Sequence, residues 1–215
     1  MGALIGWDEG MKPMVCVTCG PAEVSLDGVR VITNRATGGI GRVLARFAME
    51  KGAEVICFRG EGSTAPPPPG DVRGFTTNES LMAGLRETGR ELDVIFHAAA
   101  LSDFMIKRIE GARGAKLDSR GGDVQVTLSP ATKVLPLLRG WFPRAVIVGW
   151  KFELDGARAD ALERGARQIR ECATDGCVVN GAAFGAGFGL LMPDGRLEEY
   201  PDREALALGL VARFL

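Results

Sequence analysis

Val29-Arg30-Val31-Ile32-Thr33-Asn34-Arg35-Ala36-Thr37-Gly38-Gly39-Ile40-Gly41-Arg42 decides how this chain is read, because an extended apolar run there breaks into small residues and then opens a helix. Gly38, Gly39 and Gly41 allow a tight turn and close backbone approach, and the helix that follows aims its unpaired N–H groups at whatever lies in the turn. From Ile40 the apolar residues Val43, Leu44, Phe47 and Ala48 recur at helical spacing, and Gly52 ends the run. The stretch predicts a strand, an anion cradle and an amphipathic helix, with phosphate the usual occupant. A tight connection that binds nothing can have the same sequence, so its context must decide.

That context alternates strand and helix. Residues 14–18 form a buried strand ending in a turn, and 54–58 form a second one after the cradle helix. Residues 60–70, with four consecutive prolines, make an exposed loop. Asn78 is placed to cap a helix through Leu81, Met82 and Leu85, which leads to a strand at 93–96. Residues 105–128 look like a basic excursion from the sheet, carrying Lys107, Arg108, Arg113, Lys116 and Arg120 before the alternating Val124, Val126 and Leu128. Ser129-Pro130 caps a short helix with Val134, Leu135 and Leu138, and a strand follows at 145–148. A long helix at 157–173, a strand at 177–180, a hairpin at 187–200 turning at Asp194-Gly195, and a last helix capped by Asp202 complete the chain. This pattern predicts an α/β, doubly wound, mainly parallel sheet with ligands at the strand C-terminal ends. His97 to Phe104 lies just past such an end, where small alanines leave room for a flat group. Asp103 in that stretch suits a hydrated Mg²⁺, a base or ribose donor, or a simple turn.

At 215 residues the chain is read as a single domain, 1–215, with an N-terminal extension at 1–13. Its formal net charge of -1 gives no reason to expect nucleic acid or an anionic membrane as partner, so any anion site must be local. The absence of an apolar run near the ~20 residues that span a bilayer makes a soluble, cytoplasmic protein the expectation. The five cysteines are scattered through apolar segments and read as buried thiols. Cys16 and Cys19 form a C-x-x-C, but on a strand they face opposite sides of the sheet. His97, the only histidine, lacks the partners of a triad or zinc site and reads as structural.

Rossmann-like reductases are one class to weigh, since residues 32–41 loosely resemble a dinucleotide turn. The only tyrosine, Tyr200, stands in a hairpin rather than four residues before a lysine, so the usual acid of the short-chain reductases is missing. A pure nucleotide-binding module would leave the basic segment idle.

The ordered motifs resemble the phosphopantothenoylcysteine synthetase family in its monofunctional form. Residues 31–38 are similar to its I-(T/S)-N-(R/H)-S-S-G turn, and 98–104 (A-A-A-L-S-D-F) to its A-A-A-V-(A/S)-D-(Y/F). Lys116-Leu117-Asp118-Ser119 with Gly121-Gly122 looks like its K-I-x-S-x-G-G flap, 148–153 its G-F-K-L-E-T, and Val178-Val179-Asn180 its V-A-N. The resemblance implies a Rossmann-like fold with a β flap at about 105–128 for dimerisation. It also implies a ligase of coenzyme A biosynthesis that joins 4′-phosphopantothenate to cysteine using CTP or ATP with Mg²⁺, through an acyl-nucleotide anhydride. On this reading Asn34 holds the acyl-nucleotide and Lys116 the triphosphate. Thr37 and Gly38 cradle a phosphate, Asp103 takes Mg²⁺ or nucleotide, and Ala99, Lys133, Lys151 and Asn180 line the nucleotide pocket. The chain departs from the pattern where Ala36-Thr37-Gly38-Gly39 replaces Ser-Ser-Gly-Lys, where Asp118 adds a negative charge beside Lys116, and where Gly181 follows Asn180 in place of the common aspartate. These departures leave open another acyl substrate or a degenerate relative that binds nucleotide without ligating. With no flavin-binding decarboxylase half in the sequence, FMN is not expected.

Overall fold

The structure is a computed structural model and describes residues 12–111 and 116–215. Its strands and helices, in chain order, are β1 (Met14–Pro21), β2 (Glu23–Ser25), β3 (Val31–Thr33), α1 (Gly39–Glu50), β4 (Glu54–Gly60), β5 (Asp71–Phe75), α2 (Asn78–Arg86), β6 (Val94–Ala100), β7 (Phe104–Glu110), β8 (Gln125–Pro130), α3 (Leu135–Trp141), β9 (Val146–Phe152), α4 (Arg158–Cys172), β10 (Gly176–Asn180), β11 (Phe188–Leu191), β12 (Leu197–Tyr200) and α5 (Arg203–Phe214). Apart from Lys12 and Pro13, the N-terminal extension lies outside the described residues, as does Arg113.

The main sheet has eight strands in the order β12-β11-β10-β9-β6-β1-β4-β5. Neighbours from β10 to β5 run parallel, and β11 and β12 close one edge antiparallel. The chain winds outward from β1 through β4 to β5, then returns to β6 and winds the other way through β9 to β10. It is the expected doubly wound sheet, with its switch point between β1 and β6. Val15, Val17 and Cys19 of β1 pack with Leu44, Ala45 and Ala48 of α1 and Leu206, Leu210 and Val211 of α5. On the other face Cys16 joins Ile56, Ile95, Leu81, Leu85 and Leu138. A strand buried on both sides reads as an unbroken apolar run, and its alternation parts Cys16 from Cys19. All five cysteines are buried and free.

Four local expectations need correction. The strand before the cradle is not in the main sheet: Val31–Thr33 pairs antiparallel with Glu23–Ser25 in a separate two-stranded sheet. The buried strand that leads to α1 is β1, with this hairpin inserted between them. An alternating V-R-V-I-T run has no local signal that separates an exposed ribbon from a core strand. β5, absent from the sequence reading, is an edge strand with mostly exposed residues after the proline loop. The cap of α2 is Thr77, in a capping box with Ser80, and Asn78 is the first helical residue with its side chain turned elsewhere. Ser129 and Pro130 end β8 rather than capping α3, which starts without a side-chain cap and carries Pro136 in its first turn.

Helix α1 seats tightly on β1, since a Cβ at Gly41 would lie 2.3 Å from Cys19 Sγ. Gly41→Ala is therefore expected to destabilise the fold by about 1–3 kcal/mol, as overpacking does. Urea unfolding checks this, with Gly121→Ala, where a Cβ meets nothing within 4 Å, as the control that should stay close to wild type.

Candidate active site

The C-terminal ends of β1 and β6 meet at the switch point, where Gly20 pairs with Ala99 and Pro21 with Ala100. The chain leaves β1 as the β2–β3 hairpin and is sewn back by Asn34, whose Nδ2 donates to the carbonyls of Ala100 (3.0 Å) and Leu101 (3.1 Å). Both N–H bonds of the amide are thus spent on the backbone, and the opposite orientation would set Oδ1 against two carbonyl oxygens. As it stands, Asn34 offers the site an acceptor, Oδ1, and no free donor. Asn34, Asp103, Thr33, Ser102, Ile32, Phe104 and Leu128 line a cleft of ≈ 220 Å³ between the hairpin, the turn after β6 and the β7–β8 ribbon.

Asn78 builds that turn. Its Nδ2 donates to the carbonyls of Ser102 (2.9 Å) and Thr132 (3.1 Å), while its Oδ1 accepts from Ser102 N–H (3.1 Å). It fixes the neighbours of both Asp103 and Lys133, which are ion-paired with each other. Sequence reading spent Asn78 on a cap and so missed this role.

The cradle forms beside the cleft. Gly38 has a φ of 78°, and a Cβ there would stand 2.8 Å from Ser63 Oγ; one at Gly20 would stand 2.0 Å from the same atom. Ser63 Oγ is buried and has no hydrogen-bond partner. Thr37 Oγ1 accepts from Gly39 N–H at 3.3 Å, and Thr37's carbonyl accepts from Ala65 N–H at 3.0 Å. Arg59 donates to the carbonyls of Ser63 (2.7 Å) and Ala65 (2.8 Å), so the loop read as merely exposed becomes a wall of the cradle. Helix α1 has no acidic residue in its first turn, and with Gly39 N–H on Thr37 Oγ1 and Gly41 N–H on the Gly38 carbonyl, the Ile40 N–H is left open to an anion.

Lys116 is exposed, and the residue after it is held by Asp27 in the β2–β3 loop. The Asp27 carboxylate, 4% exposed, accepts from the backbone N–H of Leu117 (3.0 Å), Val29 (2.8 Å) and Arg30 (2.7 Å), and pairs with the Arg30 guanidinium. The Leu117 N–H, ahead of the others, holds its pKa down to about 2. Only the fold brings residues 27 and 117 together. Asp118 is engaged in turn, accepting from Arg120 N–H at 3.0 Å and pairing with its guanidinium, so its charge beside Lys116 is compensated.

Lys151 and Asn180 stand apart from the cleft, at the ends of β9 and β10. Lys151 pairs with Glu153 at 3.2 Å, and Arg164 pairs with the same carboxylate. Asn180 Oδ1 is buried and takes no hydrogen bond. Gly181 has a φ of 112°, and a Cβ there would stand 2.2 Å from Glu153's carbonyl oxygen, so the aspartate common at that place does not fit this backbone. His97 is buried, 2.8 Å from Thr18 Oγ1, and burial pushes its pKa down to about 4. Its enclosure and its Thr18 partner are those of a packed interior side chain. Among the described residues no three His, Cys, Asp or Glu side chains group as a metal site, and no helix is long and apolar enough to cross a membrane.

The family described as DNA/pantothenate metabolism flavoprotein C-terminal domain matches residues 11–194. The chain belongs to this family. Coenzyme A biosynthesis bifunctional protein CoaBC of Thermococcus kodakarensis is 31% identical over 180 residues, 83% of this chain and 43% of the relative. That of Bacillus subtilis is 28% identical over 195 residues, 87% of this chain and 47% of the relative. The chain therefore spans less than half the length of these relatives. The solved DNA/pantothenate metabolism flavoprotein of Streptococcus pneumoniae shares the fold with a TM-score of 0.82 at 19% identity, over 94% of this chain and 97% of that one. A Cab2 mutant solved in complex with phosphopantothenate-cysteine shares it at 0.74 and 18% identity, over 93% and 85%. In this member of the family the cradle and the cleft lie side by side at the switch point between β1 and β6.

Asp27→Asn is expected to speed hydrogen exchange at the Leu117 amide and to loosen the segment after Lys116. The same loosening should appear in the unmodified protein as pH falls from about 4 through about 2, because a carboxylate with a lowered folded pKa stabilises above its unfolded value and loses that effect on protonation. His97 acts higher in pH. Between about 6.5 and about 4 the unfolded chain takes up a proton that the folded chain refuses, so stability falls with pH across that window. His97→Gln should flatten this slope in urea midpoints compared at pH 7 and pH 5.

Proposed function

We propose that this chain is a phosphopantothenate–cysteine ligase of coenzyme A biosynthesis. The observation that carries the reading is the pairing, at one switch point, of the open α1 cradle with the cleft that holds Asn34 and Asp103. Membership of the family and relatives named for coenzyme A biosynthesis support it.

The reaction has two displacements. The 4′-phosphopantothenate carboxylate attacks the α-phosphorus of CTP or ATP, an O–P bond forms, and pyrophosphate leaves with the electron pair of the broken bond. The cysteine amine then attacks the acyl carbon, the nucleoside monophosphate departs and the amine loses a proton. Such chemistry depends on positioning and on charge stabilisation of phosphate oxygens. In this chain Gly38 and Thr37 receive a phosphate on the α1 N-terminus, and Lys116, next to the residue that Asp27 holds, closes on the triphosphate. Asn34 holds the acyl-nucleotide through Oδ1 as it stands, and through Nδ2 only when a backbone carbonyl releases it. The unpartnered Asn180 Oδ1 suits an exocyclic amine of the kind cytosine and adenine both carry, while Ala99, Lys133 and Lys151 border the nucleotide. Mg²⁺ is commonly held by one or two carboxylates plus phosphates, and Asp103 is the carboxylate in the cleft that would share it once Lys133 moves to phosphate. The ion would supply neutralisation of phosphate charge. We place the enzyme in the cytoplasm as a homodimer, since Val31 and Ile32 of the hairpin and Phe104, Met105, Val126 and Leu128 of the ribbon leave apolar surface exposed for a second copy.

Purified protein given Mg²⁺, CTP or ATP, 4′-phosphopantothenate and cysteine should release pyrophosphate only when the phosphopantothenate is present. Asn34→Ala should keep nucleotide binding and lose ~10²-fold or more in rate. Pyrophosphate release independent of phosphopantothenate, or full activity in that variant, would overturn the substrate or the role respectively. Leu128→Asp should shift the sedimentation coefficient toward that of a monomer.

A further inference from the structure

Gly39 has no side chain, and the space beside it is filled from elsewhere in the chain. A Cβ at Gly39 would lie 2.6 Å from Nη1 of Arg203 and 3.4 Å from Thr37 Oγ1. Arg203 is the first residue of α5, more than 160 residues away in sequence. Its guanidinium makes no ion pair or hydrogen bond among the described residues. The two acids that flank it are used elsewhere, Asp202 capping the Ala205 N–H at 2.8 Å and Glu204 pairing with Arg46.

An unpaired guanidinium at the N–H end of α1 is a cation at the wrong end of a helix dipole. Nothing acidic lies in the first turn of α1 to offset it. The buried Ser63 Oγ, with no partner, lies 2.8 Å from where a Cβ at Gly38 of the same turn would stand. Helix N–H groups, a guanidinium and an unused hydroxyl together form a donor set that an oxyanion satisfies. We propose that Arg203 is a phosphate-binding residue of this site, supplying a positive charge to the turn from α5. The phosphate belongs to the nucleoside triphosphate or to the 4′-phosphopantothenate; this choice of sources rests on the ligase reading, whereas anion binding itself does not.

Calorimetric titration with inorganic tripolyphosphate, CTP and 4′-phosphopantothenate tests the proposal, with CMP and pantothenate as controls. Arg203→Ala should weaken tripolyphosphate and at least one of the two natural ligands by about tenfold or more, as loss of a charge-assisted donor does. Its melting temperature should not change, because the side chain is exposed. Loss confined to CTP assigns the triphosphate, and loss confined to 4′-phosphopantothenate assigns the acyl substrate; either supports the proposal. Adding Gly39→Lys to Arg203→Ala should restore affinity, since the residue at 39 then has room and returns the charge to the turn. A merely structural arginine would lower the melting temperature and gain nothing from Gly39→Lys. Unchanged affinity for all three anions in Arg203→Ala, or no binding of any of them by the wild-type chain, would overturn the proposal. Absence of pyrophosphate release in the full reaction would remove the ligase reading alone and leave the tripolyphosphate comparison standing.

Discussion

The close seating of α1 on the end of β1 is the constraint from which the rest of the site follows. A side chain at Gly41 would collide with Cys19, and side chains at Gly20 or Gly38 would collide with Ser63. With those side chains absent, the N–H end of the helix comes down beside the end of β1, at the point where the sheet's winding reverses. Any ordinary residue at Gly41 would lift the helix and carry its N-terminus away from the strand end. The tight packing and the anion cradle are thus one feature, and a substitution that relaxes the first weakens the second.

The residues between Pro21 and Gly38 do not run directly from strand to helix. They loop out as the β2–β3 hairpin and must be tied back. Ala22 N–H donates to Ala100's carbonyl at 3.0 Å, Thr33 Oγ1 donates to Ala22's carbonyl at 2.8 Å, and Asn34 spans the carbonyls of Ala100 and Leu101. The cleft is therefore made by an insertion rather than by the sheet itself. Because Asp27 at the hairpin tip also binds Leu117 N–H, the insertion sets the start of the β8 side of the ribbon as well. One hairpin ties down both Asn34 and Leu117, the residue after Lys116.

Much of the sheet was legible because parallel strands buried on both faces leave unbroken apolar runs, and because helix ends leave short local marks. Residues 157–173 were read as a helix that the structure bounds at Arg158–Cys172, and Asp202 does cap α5. The hairpin strand 31–33 was misplaced since alternation reports a period and not a depth. β5 was missed for a related reason: an edge strand of five residues after a proline loop buries too little to mark the sequence. In the site, Asn34, Thr37, Gly38 and Asp103 were visible as motif residues. Asp27, Asn78, Ser63 and Arg203 were not, because each acts through a contact between segments far apart in the chain. Asn78 was obscured further by a plausible local use as a cap, which Thr77 one residue earlier performs instead.

The competing idea of a reductase fails on the disposition of its acid. Tyr200 lies on β12, the outermost strand at one edge, with β11, β10 and β9 between it and β6. Its hydroxyl donates to Glu198 at 2.9 Å, and burial, with that carboxylate, pushes its pKa up to about 12. A phenol so placed neither reaches the switch point nor yields its proton near neutrality. His97 is closer, midway along β6, but burial with no carboxylate partner keeps it neutral and enclosed. What the switch point does present is backbone N–H groups, amides, hydroxyls and cations, all held by the fold. Groups of that kind suit holding negative oxygens, which is the demand that displacement at phosphorus by a carboxylate makes of a protein.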